Sequence, residues 1–252
     1  MLEIFSLKGK KAFVSGASRG LGREMALTLA EAGADVALAS RNIEALSETA
    51  TLIKGMGREA LVCPMDISKL DEIEKAVNDA VKAFGLIDIL INNSGIAGEV
   101  SVAEMTEEKW DRVMDVNLKG HVFCTKAVGR HMIENKYGKI INIASIAGII
   151  GVIYNSPYCV AKAGLILFTK TLALEWARYN IQVNALCPGY FLTDLNRDFF
   201  QTPAGQKVIS KIPMRRLAEV KEIRGATLLL ASDASSFMTG SVVVVDGGHI
   251  VG

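Results

Sequence analysis

Three glycines, Gly16, Gly20 and Gly22, stand where an apolar strand hands over to a helix. No other stretch restricts the fold as much. Residues 10–15, with Ala12-Phe13-Val14 at their centre, read as a short strand, and a helical pattern runs from the turn to about residue 32. Glycine lets the backbone turn tightly and approach a pyrophosphate closely, while a helix N-terminus offers N–H donors and the positive end of its dipole. The spacing G-x-x-x-G-x-G differs from the commoner G-x-G-x-x-G, and glycines also make plain strand–helix turns. Three of them at the first βα junction favour a dinucleotide.

The chain then alternates. Strands are predicted at 35–40, 60–63, 87–91, 139–144, 181–186 and 242–246, most of them nearly continuous apolar runs. Helices are predicted at about 43–56, 68–84, 107–135, 156–179 and 220–231. Ser68-Lys69-Leu70-Asp71 resembles a capping box, Thr106 precedes acids that suit a first turn, and Ser156-Pro157 fits N-cap and N1. Apolar strands alternating with helices imply a parallel sheet covered on both faces. The expected fold is α/β: one doubly wound, Rossmann-like domain over residues 1–252, with about seven strands.

Half of the 252 residues are hydrophobic, enough for a large core, and no composition break marks a linker. A net charge of +1 gives no electrostatic footprint for nucleic acid. No run reaches the ~18 consecutive apolar residues of a membrane span, and no basic region precedes an apolar one at the N-terminus. A cytoplasmic protein without membrane or nucleic-acid partners is expected. Cys63, Cys124, Cys159 and Cys187 form no C-x-x-C pair and read as reduced thiols. His121, His131 and His249 lack metal-ligand spacing, so no metal is expected.

Tyr158 and Lys162 are four residues apart and share one helix face, with Ser145 thirteen residues upstream. An ammonium beside a phenol favours the phenolate and lowers the tyrosine pKa, which suits a general acid or base. Cofactor choice is read at the end of the second strand. An acid there binds the ribose hydroxyls of NAD, whereas arginine accommodates the 2′-phosphate of NADP. The chain has Ser40-Arg41-Asn42 at that point and Arg19 in the glycine turn. Two guanidiniums fit a phosphate in charge and geometry, so NADP(H) is expected.

Together these motifs resemble the short-chain dehydrogenase/reductase family over nearly the whole chain. The matching pieces are Ser15-Gly16-Ala17-Ser18-Arg19-Gly20-Leu21-Gly22, Asp66-Ile67, Asn92-Asn93-Ser94-Gly95, Asn117, Ser145, Tyr158-x-x-x-Lys162 and Pro188-Gly189. The family more often has Thr at position 15 and Ala at position 94. The resemblance implies that Asp66 and the Ile67 backbone meet the adenine and that residues 92–95 form the cofactor-side loop. It further implies that Ser145 hydrogen-bonds the substrate oxygen, Tyr158 transfers the proton, and Lys162 binds the nicotinamide ribose and lowers the Tyr158 pKa. Asn117 would hold a relay water, and residues 188–190 with Thr193 would close over the nicotinamide. A homotetramer is also implied.

Substrate-facing segments are expected at 96–99, 146–155 and 190–214, the last a long loop acting as a lid. Residues 187–193 and 235–240 are similar to sugar-acid dehydrogenases of the gluconate/5-ketogluconate type. The alternatives are a 3-oxoacyl-[acyl-carrier-protein] reductase and a catalytically silent NADP-binding protein. The reductase would present basic residues for the carrier near Lys136 and Tyr179; the first position is basic and the second is not, although Arg178 adjoins it. The apolar run Ile149-Ile150-Gly151-Val152-Ile153 is unusual for a pocket receiving a polyol.

Overall fold

The computed structural model describes residues 2–194 and 196–252. β1 (Lys11–Ser15), β2 (Asp35–Ser40), β3 (Ala60–Pro64), β4 (Ile89–Asn92), β5 (Gly138–Ile143), β6 (Ile181–Pro188) and a late strand, Val242–Val245, form the main sheet. A small parallel pair, β7 (Phe191–Leu192) and β8 (Ala218–Glu219), lies apart from it, so the late strand is β9. The seven strands run in the order β3-β2-β1-β4-β5-β6-β9, all parallel. This is the α/β, doubly wound, Rossmann-like architecture that the apolar runs imply.

Alternation along the strands divides the core. Ala12, Val14, Val36 and Leu38 face one layer, and Phe13, Ala37 and Leu90 the other. The first layer receives α1 (Gly20–Glu31), α2 (Ile43–Gly55) and, late in the chain, Ile223 and Leu230. The second receives α3 (Leu70–Phe84) and the segments that follow β4. Strand order reverses between β1 and β4, and the crevice at the carboxyl ends beside that point is where such sheets bind ligands.

The predicted helix over 107–135 is interrupted. α4 (Glu107–Met114) passes into a π turn, Asp115–Lys119, before α5 (Gly120–Asn135). Ser68 does not cap α3; its N–H and hydroxyl both donate to Asp66 Oδ1 instead. α6 (Ser156–Trp176) is preceded by Asn155 as N-cap, so Ser156 is already helical, one residue off the expected cap. β4 begins at Ile89, two residues later than expected; Asp88 just before it accepts the Lys11 N–H on its carboxylate and already pairs through its backbone with Lys11 and Lys139.

The segment 190–214 is not structureless: it holds α7 (Arg197–Gln201) and α8 (Pro203–Lys211). The helix expected at 220–231 opens as a 3₁₀ turn, Val220–Ile223, before α9 (Arg224–Ala231). Among the described residues one helical stretch, Ser156–Tyr179, has the length and apolarity to cross a membrane, with mean hydropathy 1.2. It packs Leu165, Ile166, Leu172 and Ala173 into the protein.

Candidate active site

The glycine turn lies against the exit of β4. Gly16 has φ +67°, and a Cβ there would stand 2.7 Å from Asn93 Nδ2. A Cβ on Gly22 would lie 2.1 Å from the Gly16 carbonyl oxygen, so neither position admits a side chain. Gly20, at φ +54°, faces open space; the nearest atom to its missing Cβ is Thr193 Cγ2 at 3.8 Å. The turn is therefore a bare backbone cradle at the N-terminus of α1, with Thr193 above it, which fits a dinucleotide pyrophosphate. Ser18 and Leu21 are half-buried in the cradle and Arg19 is exposed at its edge.

Ser15 joins the two sides of the crevice. Its fully buried hydroxyl accepts from the N–H groups of Asn93 at 3.0 Å and Ser94 at 3.2 Å. Asn93 Nδ2 donates back to the carbonyls of Ser15 and Gly16. At the neighbouring strand ends, Asn42 caps α2 through Ala45 N–H, with Ser40 bonded to its backbone and Arg41 exposed. Asp66 is held below the usual carboxylate range. Burial opposes ionisation, but the two Ser68 hydrogen bonds and the charges of Arg41 and Lys69 outweigh it. The edge between β2 and β3 thus carries Arg41, Asp66 and buried Ile67 together.

The proton-transfer candidates converge at the carboxyl end of β5. Ser145 follows that strand as the cap of a 3₁₀ turn, Ile146–Gly148, and its Oγ accepts from Ala147 N–H at 3.1 Å. That contact leaves its own proton free to donate. Lys162 is buried, donates to the Ile143 carbonyl at 2.7 Å, and holds its Nζ 5.6 Å from the centre of the Tyr158 ring. A Cβ on Gly148 would meet the Lys162 backbone at 2.7 Å, so the 3₁₀ turn presses directly on α6.

The electrostatics differ from the expectation that Lys162 lowers the Tyr158 pKa. Burial pushes Tyr158 up, with a hydrogen bond from Ser145 as the opposing effect. Burial also brings Lys162 down to about 8. The phenol thus keeps its proton at neutral pH. Asn117 lies in the π turn, fully buried, with both amide atoms spent on Ile96: its Nδ2 donates to the carbonyl at 2.8 Å and its Oδ1 accepts the N–H at 2.9 Å. Pro188 and Gly189 end β6, where Gly189 is pressed against Asp246.

Three features escaped the sequence reading. His121, one turn beyond Asn117, is fully buried with Nε2 2.6 Å from the Ser94 carbonyl. Burial and the Lys162 charge depress its pKa to about 3, so the ring is neutral and its proton sits on Nε2, facing an oxygen that only accepts. Its Nδ1 is buried without a partner. A chain of buried polar groups, Asn92 to Asn142 to Thr169, ties β4 and β5 to α6. Tyr190 lies beside Cys159 and stacks edge-on with Phe200 and His249. The signal for His121 was its place in a polar row, Asn117, His121 and Thr125, at four-residue spacing on one buried helix face.

A family model described as Enoyl-(Acyl carrier protein) reductase matches residues 16–249. The 2-dehydro-3-deoxy-D-gluconate 5-dehydrogenase of Escherichia coli (strain K12) is 38% identical over 252 residues, 99% of each chain. The chain belongs to the short-chain dehydrogenase/reductase family. As a member it is an oxidoreductase acting between alcohol and carbonyl groups with a nicotinamide cofactor. An NAD-dependent glycerol dehydrogenase of Listeria innocua is 37% identical, over 98% of this chain and 96% of the relative. The structure of a gluconate 5-dehydrogenase from Burkholderia cenocepacia J2315 in complex with NADP and tartrate matches with a TM-score of 0.95. It is 36% identical and covers 100% of this chain and 99% of that one. The relatives therefore differ in dinucleotide and in substrate.

Proposed function

We propose that the protein is an NADP(H)-dependent carbonyl reductase and secondary-alcohol dehydrogenase, built as one domain with residues 190–214 as its lid. The reading rests on one observation above the others: Ser145, Tyr158 and Lys162 meet at the end of β5 beside the open glycine cradle. Gly16, Gly20 and Gly22 would hold the pyrophosphate, Asp66 and Ile67 the adenine, and Arg19 and Arg41 the 2′-phosphate. Bound there, the nicotinamide supplies the hydride that the carbonyl carbon accepts.

Ser145 Oγ donates a hydrogen bond to the carbonyl oxygen and stabilises the charge that grows on it. Tyr158 Oη gives that oxygen its proton, and the reverse step returns the proton to the phenolate. Lys162 directs its ammonium at the ribose and restores the tyrosine. The Asn117 amide is committed to Ile96, so it acts as a clamp on the 93–96 loop.

The Lys162 assignment has a pH consequence. Its pKa lies near 8, below the ordinary 10.5, so the ammonium dominates below pH 8 and is lost above it. With NADPH saturating, kcat/KM for ketone reduction is expected to fall about tenfold per pH unit above roughly pH 8. A profile flat to pH 9.5 would contradict the role given to Lys162.

We further propose a homotetramer. Val160, Leu167 and Leu174 recur every seventh residue on the outer face of α6, and Leu174 and Phe237 are almost fully exposed. An apolar stripe of this kind fits a second copy. Light scattering is expected to give about four chains per particle, and a monomer would end that reading.

A further inference from the structure

The walls around Tyr158 carry almost no charge. Residues 140–161, which run from β5 through Ser145 to beyond Tyr158, contain no Asp, Glu, Lys, Arg or His. Residues 94–108 contain no Lys, Arg or His, and their acids begin with Glu99. These two stretches form one wall. The Val100 N–H donates to the Tyr154 carbonyl at 2.7 Å, Val100 bridges Asn155, and the space a Cβ on Gly98 would fill lies 3.7 Å from the Tyr158 nitrogen.

What the wall presents is hydrocarbon. Ile149 is 43% exposed, Ile153 78% and Tyr154 63%. Tyr154 holds φ +59°, an uncommon conformation for a non-glycine residue. On the side of β6, Cys187 is buried between Ser145 and Lys162, and Tyr190 adds an aromatic face joined to Phe200.

The cations of the 190–214 segment do not alter this. Arg197 is paired with Asp194 at 3.4 Å. α8 packs through Gly205 onto Phe199 and Phe200, and Lys207 and Lys211, two and six residues on, fall on its opposite, exposed face. A carboxylate brought against Tyr158 would lose its water and meet one cation, Lys162, whose Nζ is already bonded to the Ile143 carbonyl. A polyol would find only Asn155 Oδ1 and Ser156 Oγ as buried unpartnered polar atoms in this wall, too few for its hydroxyls.

Resting on the carbonyl-reduction reading above, we propose that the substrate is an uncharged ketone flanked by hydrocarbon, and not a sugar acid. The reaction balances as hydride to the carbonyl carbon and the Tyr158 proton to its oxygen, giving the secondary alcohol.

The test measures NADPH oxidation by the full-length protein with 2-heptanone, 5-keto-D-gluconate and L-sorbose. The expected kcat/KM for 2-heptanone exceeds that for either sugar at least 100-fold. Ile153→Arg, at an exposed position that folding does not depend on, should narrow the ketone-to-ketogluconate ratio at least tenfold. Titration of the NADP⁺ complex by calorimetry should register 2-heptanol and not gluconate. Equal or better turnover of 5-ketogluconate or sorbose overturns this substrate class while leaving carbonyl reduction standing. Turnover of none of the three overturns both.

Discussion

Tyr158→Phe is expected to lower kcat for ketone reduction about 10³-fold, about 4 kcal/mol in the barrier, while the Kd for NADPH stays within about threefold. The asymmetry follows from where the phenol oxygen acts. Burial raises the Tyr158 pKa, so at neutral pH the proton is in place, and removing the hydroxyl removes the donor assigned to the carbonyl oxygen next to Ser145. The ring is retained, so packing at the start of α6 survives. The contacts assigned to the cofactor, the glycine cradle and Lys162, are also untouched. Single-turnover kinetics with prebound NADPH separates the two quantities. A variant with near-normal kcat would remove Tyr158 from the proton transfer.

The second large effect concerns the far end of the crevice. Arg19→Ala with Arg41→Ala is expected to reduce kcat/KM for NADPH about 100-fold and to leave NADH within about threefold. Charge-assisted hydrogen bonds to a phosphate contribute about 1.5–3 kcal/mol each, and both guanidiniums are exposed, which keeps the combined loss near the lower end. Arg41 also lends its charge to holding Asp66 ionised. No acid ends β2 to take the ribose hydroxyls of NADH, since Ser40-Arg41-Asn42 occupies that point. Steady-state kinetics with each dinucleotide reads the ratio, and an unchanged preference would relocate the specificity elsewhere.

Much of this molecule is legible before any coordinates. β2 appears at the residues predicted, Asp35–Ser40, because a buried parallel strand is an unbroken apolar run between a glycine turn and a helix cap. The glycine cradle and the Ser145, Tyr158 and Lys162 set are found where their spacing implies. The π turn was not legible, because residues 107–135 keep a helical pattern throughout and one extra residue per turn leaves no mark on composition. α8 did leave a signal: Thr202 caps it through Gly205 N–H and Pro203 opens it, the same pairing of cap and proline that was sought at Ser156-Pro157. The pKa of Tyr158 was misjudged for a physical reason. Sequence spacing reveals a nearby ammonium but not the burial that outweighs it.

The π turn also fixes a count. Asn117 sits in it and grips Ile96; His121 lies just past it and grips Ser94. Each helical residue advances about 100° around the axis, so deleting one residue within Asp115–Lys119 would rotate α5 by that amount against α4. One clamp could then keep its partner, never both. The length of this short segment is therefore under tighter restraint than its side chains. Insertions and deletions should be tolerated in the surface loops around it and rejected here.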